Sequence, residues 1–346
     1  MKKLIFVLSI IFAISMLTLS LGAVEVEEAF AFEEFISEDV ILPYRLYVPE
    51  DYSAENEYPL VVFLHGAGER GKDNDLQLKN AMQTLFDRRD GLMLQSIVIA
   101  PQCPEGEQWV DTPWADGNYS TDKIPESNEL EAVVALTKAL CDEYSVDKAR
   151  IYAMGVSMGG FGTWDLIIRH NDIFAGAAPM CGGGDPSKAS SLVNTPIYTF
   201  HGTADASVPY DGTAEMVEAI EDESGRMINF ITYDGEGHGI WEKASAEEDW
   251  LEWLYEQKLT DRYPDAFASE SDTAVIPETN DTEAVSDTEG ESAPESSKET
   301  TNENVADTEK AADDGNGSFP TAIVIVIIVV IVIAVVALLV VIKRKK

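Results

Sequence analysis

Ile151-Tyr152-Ala153-Met154-Gly155-Val156-Ser157-Met158-Gly159-Gly160 is the stretch on which the fold turns. Residues 151–155 are apolar and read as a strand, and residues 159–170 read as a helix. A serine flanked by glycines stands at the joint. The turn from strand to helix is so sharp that side chains at 155 and 159 would strike neighbouring backbone. It lifts the Ser157 hydroxyl above the sheet, beside a helix N-terminus that favours negative charge.

Outward from this joint the pattern repeats. Residues 59–64 and 97–100 are continuous apolar runs, closed by His65-Gly66 and by Pro101, as expected of strands buried on both faces. Further strands are expected at 44–48, 176–180, 197–200 and 228–233. Helices are expected at 75–89, 126–144, 212–223 and 246–258. Strands alternating with helices imply right-handed crossovers and an α/β fold, a mainly parallel sheet with helices on both faces. In such sheets ligands bind beyond the carboxyl ends of the strands.

A serine hydroxyl needs a base, and the four histidines can be tested in turn. His65 precedes Ser157 and reads as a loop-shaping residue. His170 ends the serine helix, and His201 before Gly202 reads as structural. Only His238, on the turn after the last strand, fits the base in position and order. The carboxylate that orients it should follow the preceding strand, where Asp205 stands, with Asp211 in reserve. The order Ser157, Asp205, His238 differs from the chymotrypsin and subtilisin orders. An oxyanion needs two donors: the Met158 N–H, and an N–H of the glycine-rich loop after the 59–64 strand, Ala67 or else Gly68. Trp109, Trp114 and Trp241 fall on the expected rim and could stack a sugar or a phenolic acyl group, or simply pack their loops.

Leu64-His65-Gly66-Ala67-Gly68-Glu69-Arg70-Gly71, Ala100-Pro101-Gln102-Cys103-Pro104, the serine turn, His201-Gly202-Thr203-Ala204-Asp205 and Gly237-His238-Gly239 together resemble bacterial carboxylesterases of the α/β-hydrolase fold. The likeness covers roughly residues 40–257, almost all of the folded part. It is greatest to feruloyl and acetylxylan esterases that trim plant polysaccharides, with prolyl-oligopeptidase-type and dienelactone hydrolase domains as relatives. The resemblance implies a serine esterase acting on a small-molecule or polysaccharide ester through an acyl-enzyme. The alternatives are a serine peptidase on the same fold and an inactive surface binding protein.

The chain has 346 residues and a net charge of −38, with 62 acidic and 24 basic side chains. Binding nucleic acid needs clustered Lys and Arg to neutralise phosphate, so that class of partner is excluded. Residues 1–23 have a basic start, an apolar run and small residues, the pattern of a secretory signal peptide, with an uncleaved anchor as the alternative. Residues 265–319 carry 16 acids and two bases with few large apolar side chains, and read as a disordered stalk. Residues 320–342 are apolar enough for one membrane-spanning helix, and the basic tail 343–346 points it inward. The hydrolase, residues 24–264, is then extracellular and retains a charge of −30 once the −14 of the stalk, the +2 of the leader and the +4 of the tail are removed.

Of the three cysteines, Cys103 and Cys181 could pair, whereas Cys141 lies on a helix stripe. No ligand spacing suggests a metal, no phosphate loop is present and no cofactor is expected. Oligomeric state is not legible.

Overall fold

The computed structural model describes residues 25–37, 40–88 and 90–267. The expected leader, most of the stalk, the membrane span and the basic tail lie outside them. Among the described residues no helix is long and apolar enough to cross a membrane.

Eight strands form one sheet: β1 (Ala31–Ile36), β2 (Ile41–Tyr47), β3 (Tyr58–Leu64), β4 (Ile97–Pro101), β5 (Val146–Val156), β6 (Gly176–Met180), β7 (Ile197–Gly202) and β8 (Ile228–Tyr233). Their order is β1-β2-β4-β3-β5-β6-β7-β8. β2 runs antiparallel to β1 and β4, and all pairings from β4 to β8 are parallel. The helices are α1 (Val26–Ala29), α2 (Met82–Phe86), α3 (Asn128–Glu143), α4 (Met158–Arg169), α5 (Asp211–Asp222), α6 (Trp241–Ala246) and α7 (Trp250–Tyr255). This is the α/β-hydrolase architecture.

The two-residue period of a strand sorts the core into two layers. Leu60, Val62, Leu64, Ile97, Ile99, Ile151 and Ala153 face α3, α4 and α5, whose Leu130, Trp164 and Met216 are buried there. Val61, Phe63, Val98, Ala100, Tyr152 and Met154 face α2 and α7, with Met82 and Trp250 beneath them. Seen from sequence, these strands are continuous apolar runs because both faces are covered. Ser127 caps α3, its hydroxyl accepting from the Leu130 N–H at 3.1 Å.

Three elements depart from the expectation. β1 is an added edge strand whose residues are mostly exposed, Phe32 and Ile36 among them. The helix expected at 75–89 is broken into a 3₁₀ turn, Leu76–Leu78, and α2. Between them Asn80 and Ala81 take φ of 55° and 28°, and the Asn80 side chain reaches back to Glu69. The helix expected at 246–258 shortens to α7, Trp250–Tyr255, set off by a break from α6, which ends at Ala246. The Arg88 guanidinium takes the carbonyls of Ser245 and Glu247 at the end of α6, and Asp249 has φ 66°. Cys103, Cys141 and Cys181 are all free thiols, so the 103–181 pairing is not formed.

Candidate active site

β5 hands the chain to α4 through Ser157, whose φ of 57° and ψ of −118° lie outside the ordinary regions for a side-chain-bearing residue. Such a conformation costs of order 1–3 kcal/mol and persists only where the surroundings enforce it. Here they do. A Cβ at Gly155 would lie 2.3 Å from the Gly159 carbonyl oxygen, and one at Gly159 2.0 Å from that of Leu64. The Ser157 N–H donates to the Met180 carbonyl at 2.9 Å, tying the turn to the end of β6.

The loops after β7 and β8 bring two more groups to this serine. Ser157 Oγ lies 2.7 Å from His238 Nε2, and His238 Nδ1 lies 2.7 Å from Asp205 Oδ2. The Asp205 side chain is fully buried. Its Oδ1 accepts from the N–H groups of Ser207 and Val208 at 2.8 and 2.9 Å. Burial pushes this carboxyl up, but hydrogen bonds from His201, His238, Val208 and Ser207 more than offset it and hold its pKa below the usual carboxylate range. The reserve residue Asp211 instead opens α5.

The expected oxyanion donors stand on two elements, the loop after β3 and the start of α4. Ala67 is the first residue of a 3₁₀ turn and Met158 the first of α4, positions whose N–H groups have no acceptor within their own helix. His65 sets the loop. The Cys103 N–H donates to its Nε2 at 2.9 Å, so Nδ1 carries the hydrogen and donates to the Gly66 carbonyl at 2.6 Å. A trans peptide points its C=O and N–H opposite ways, so anchoring the Gly66 carbonyl also fixes the direction of the Ala67 N–H. Burial holds His65 neutral, its pKa lowered to about 4 despite the Gly66 hydrogen bond, which raises it.

Ser157 opens into a cleft of about 310 Å³ lined by Ala67, Glu69, Asn80, Trp114, Trp241 and His238 among others. Trp241 meets the His238 ring edge-on at 5.5 Å, and the Arg70 guanidinium sits 5.6 Å from the Trp114 ring. Trp109 does not reach the cleft. It is fully buried, its Nε1–H donating to the His65 carbonyl at 3.0 Å, which corrects its expected place on the substrate rim. The aromatic residue packs the loop from within because its polar edge finds a backbone acceptor there.

Reading the sequence overlooked Glu69 and Asn80. Burial pushes the Glu69 carboxyl up, and Asn80 Nδ2 donates to it at 2.7 Å. Glu69 stands within the glycine-rich loop, a position that could have marked it; nothing in the sequence near Asn80 does so. Among the described residues no group of three or more His, Cys, Asp or Glu is arranged to hold a metal ion.

A strained serine, a histidine and a buried carboxylate lie in file, an arrangement whose chemistry suits acyl transfer. Residues 51–247 match the phospholipase/carboxylesterase family. The chain belongs to that family. It is a carboxylic ester hydrolase of the α/β-hydrolase type. The solved structure of a thermostable esterase is 34% identical, with a TM-score of 0.60, over 67% of this chain and 64% of that one. This chain thus matches slightly less than two thirds of that esterase. "Probable feruloyl esterase C" of Aspergillus niger is 24% identical over 202 residues, 58% of this chain and 68% of that protein. The bifunctional acetylxylan esterase/xylanase of Neocallimastix patriciarum is 24% identical over 180 residues, 52% of this chain and 24% of that protein.

Proposed function

We propose that Ser157 attacks an ester carbonyl, that His238 takes its proton and returns it to the leaving alcohol, and that Asp205 orients the imidazole. The Met158 and Ala67 N–H groups hold the oxyanion, and water then hydrolyses the acyl-enzyme by the same steps in reverse order of partners. The observation that carries this reading is the unbroken pair of 2.7 Å contacts from Ser157 through His238 to Asp205. A fluorophosphonate probe should label the protein at Ser157, and Ser157→Ala should abolish labelling. Equal labelling of that variant would exclude the assignment.

The substrate we infer is a feruloyl or acetyl ester of a polysaccharide, or a small ester like it. Two indoles, Trp114 and Trp241, line the cleft together with the polar Glu69 and Asn80, which suits a phenolic ring or a sugar. The names of the feruloyl and acetylxylan esterase relatives support the same class. Feruloyl, acetyl-sugar, short aryl ester and aminoacyl-anilide substrates should be cleaved with the anilides slowest. Anilides turned over fastest would replace this reading with a peptidase.

The location is part of the proposal. Residues 1–23 export the hydrolase, 24–264, residues 265–319 space it from the bilayer, and residues 320–342 with the basic 343–346 anchor it. External protease should release active enzyme from intact cells; an enzyme untouched until the cells are broken would refute the topology.

A further inference from the structure

His201 ends in the same corner as the catalytic carboxylate, yet the proposed reaction leaves it unused. It lies on β7, fully buried, and its two ring nitrogens face only acceptors. Nε2 is 3.1 Å from the Val208 carbonyl oxygen and 3.2 Å from Asp205 Oδ2. A bare Nε2 would set its lone pair against a buried carboxylate, so this nitrogen carries hydrogen. Nδ1 is 2.8 Å from Thr213 Oγ1, and that hydroxyl is 2.6 Å from the Gly182 carbonyl oxygen. Two oxygens this close need a hydrogen between them, and only Thr213 has one to give. Thr213 can therefore only accept from His201, and Nδ1 carries hydrogen as well.

From this proton count we propose that His201 is an imidazolium paired with Asp205, a positioning residue that holds and neutralises the carboxylate behind His238. It rests on the reading of Ser157, His238 and Asp205 above. The groups facing it come from four elements. Asp205 is on its own loop, and Tyr210 meets its ring edge-on at 5.8 Å before α5. Thr213 comes from α5, and His238 lies across Asp205 from the loop after β8. Cys181, at the end of β6, stands near Asp205 and is kept protonated by burial, which also pushes Tyr210 up. Asp205 is thus the anion that His201 meets.

The consequence is a carboxylate that directs the His238 ring without lending it a full negative charge. A lone buried aspartate would draw His238 towards its charged form; a paired one leaves the imidazole free to accept the Ser157 proton.

The test is spectroscopic and kinetic. In the full chain labelled with ¹⁵N at histidine, the His201 signals, assigned by their loss in His201→Gln, should report hydrogen on both ring nitrogens at about pH 8. One bare nitrogen on His201 overturns the proposal. His201→Gln keeps an N–H donor towards Asp205 but removes the charge, and Thr213→Val removes the acceptor at Nδ1. In each, the acid limb of kcat/KM should move up by about one unit. A limb unmoved in both folded variants overturns the proposal too, and if neither variant folds the wild-type spectrum decides. Full activity in Ser157→Ala would instead refute the triad and leave the His201 spectrum unchanged, so the two failures are distinguishable.

Discussion

Two histidines, His65 just after β3 and His201 near the end of β7, stand at the carboxyl ends of parallel strands, and each is followed by a glycine and sealed from solvent. Their surroundings nevertheless make them opposites. His65 meets one donor, the Cys103 N–H, and one acceptor, the Gly66 carbonyl, and stays neutral. His201 meets the Val208 carbonyl, the Asp205 carboxylate and a hydroxyl already committed as donor, and is charged. One orients a peptide N–H towards the oxyanion, and the other balances the anion behind the base. The dipeptide is the same; the partners decide the role.

The largest effect should come from the residue that both corners serve. Ser157→Ala removes the nucleophile and should lower kcat by about 10⁶-fold, leaving only what the oxyanion donors and binding supply. Steady-state hydrolysis of an aryl ester measures it, and a loss below about tenfold would mean the two histidines converge on the wrong atom. Next comes the carboxylate. Asp205→Asn should cost roughly 10⁴-fold in kcat, because the amide can present its NH₂ to His238 and select the wrong tautomer. KM should change far less. Were Asp211 the true partner, Asp211→Asn would show the large loss and Asp205→Asn would not.

How much of this was legible follows from which forces are local. Ser157, Asp205 and His238 could be read because each sits at the end of an apolar run, and chain order at one sheet edge then fixes their neighbourhood. β1 could not, since Ala31 to Ile36 has no buried face to impose alternation. The break at Asn80 and Ala81 was hidden because residues 75–89 do have helical spacing, while the anchors that interrupt it are distant. The buried Gln77 side chain donates to the Ala100 carbonyl at 3.4 Å, and Asn80 donates to Glu69. Trp109 was misplaced because a loop's position in the chain says nothing of which way its side chains turn. His201 was passed over for a similar reason: its charge depends on Thr213 and Val208, contacts that no spacing encodes.

The neutral histidine should announce itself in stability. His65 has a pKa of about 4 in the fold against an ordinary 6.5. As pH falls below 6.5 the unfolded chain takes a proton that the folded one refuses, so stability drops until about pH 4, where both take it. The loss through this group is roughly 3 kcal/mol, fully absent above 6.5. Asp205 acts in a separate window: its lowered pKa adds stability above 3.8 that disappears only as pH falls below that value. Urea unfolding between pH 7 and 4 should therefore show a slope that His65→Gln flattens. A wild-type slope that survives the substitution would mean that other groups carry it.

The smallest effects separate the tryptophans. Trp114 borders the cleft, so Trp114→Ala should raise KM for aromatic acyl esters about fivefold, the loss of about 1 kcal/mol of ring contact, with stability little changed. Trp109→Phe should do the reverse. It deletes the N–H that grips the His65 carbonyl and should cost about 1–3 kcal/mol of stability, since that carbonyl is buried. KM should hold, because no atom of Trp109 reaches substrate. Any catalytic change should then appear in kcat alone, through a loosened His65 and a wandering Ala67 N–H. A raised KM in Trp109→Phe with unchanged stability would break this division and put the buried indole back on the substrate rim.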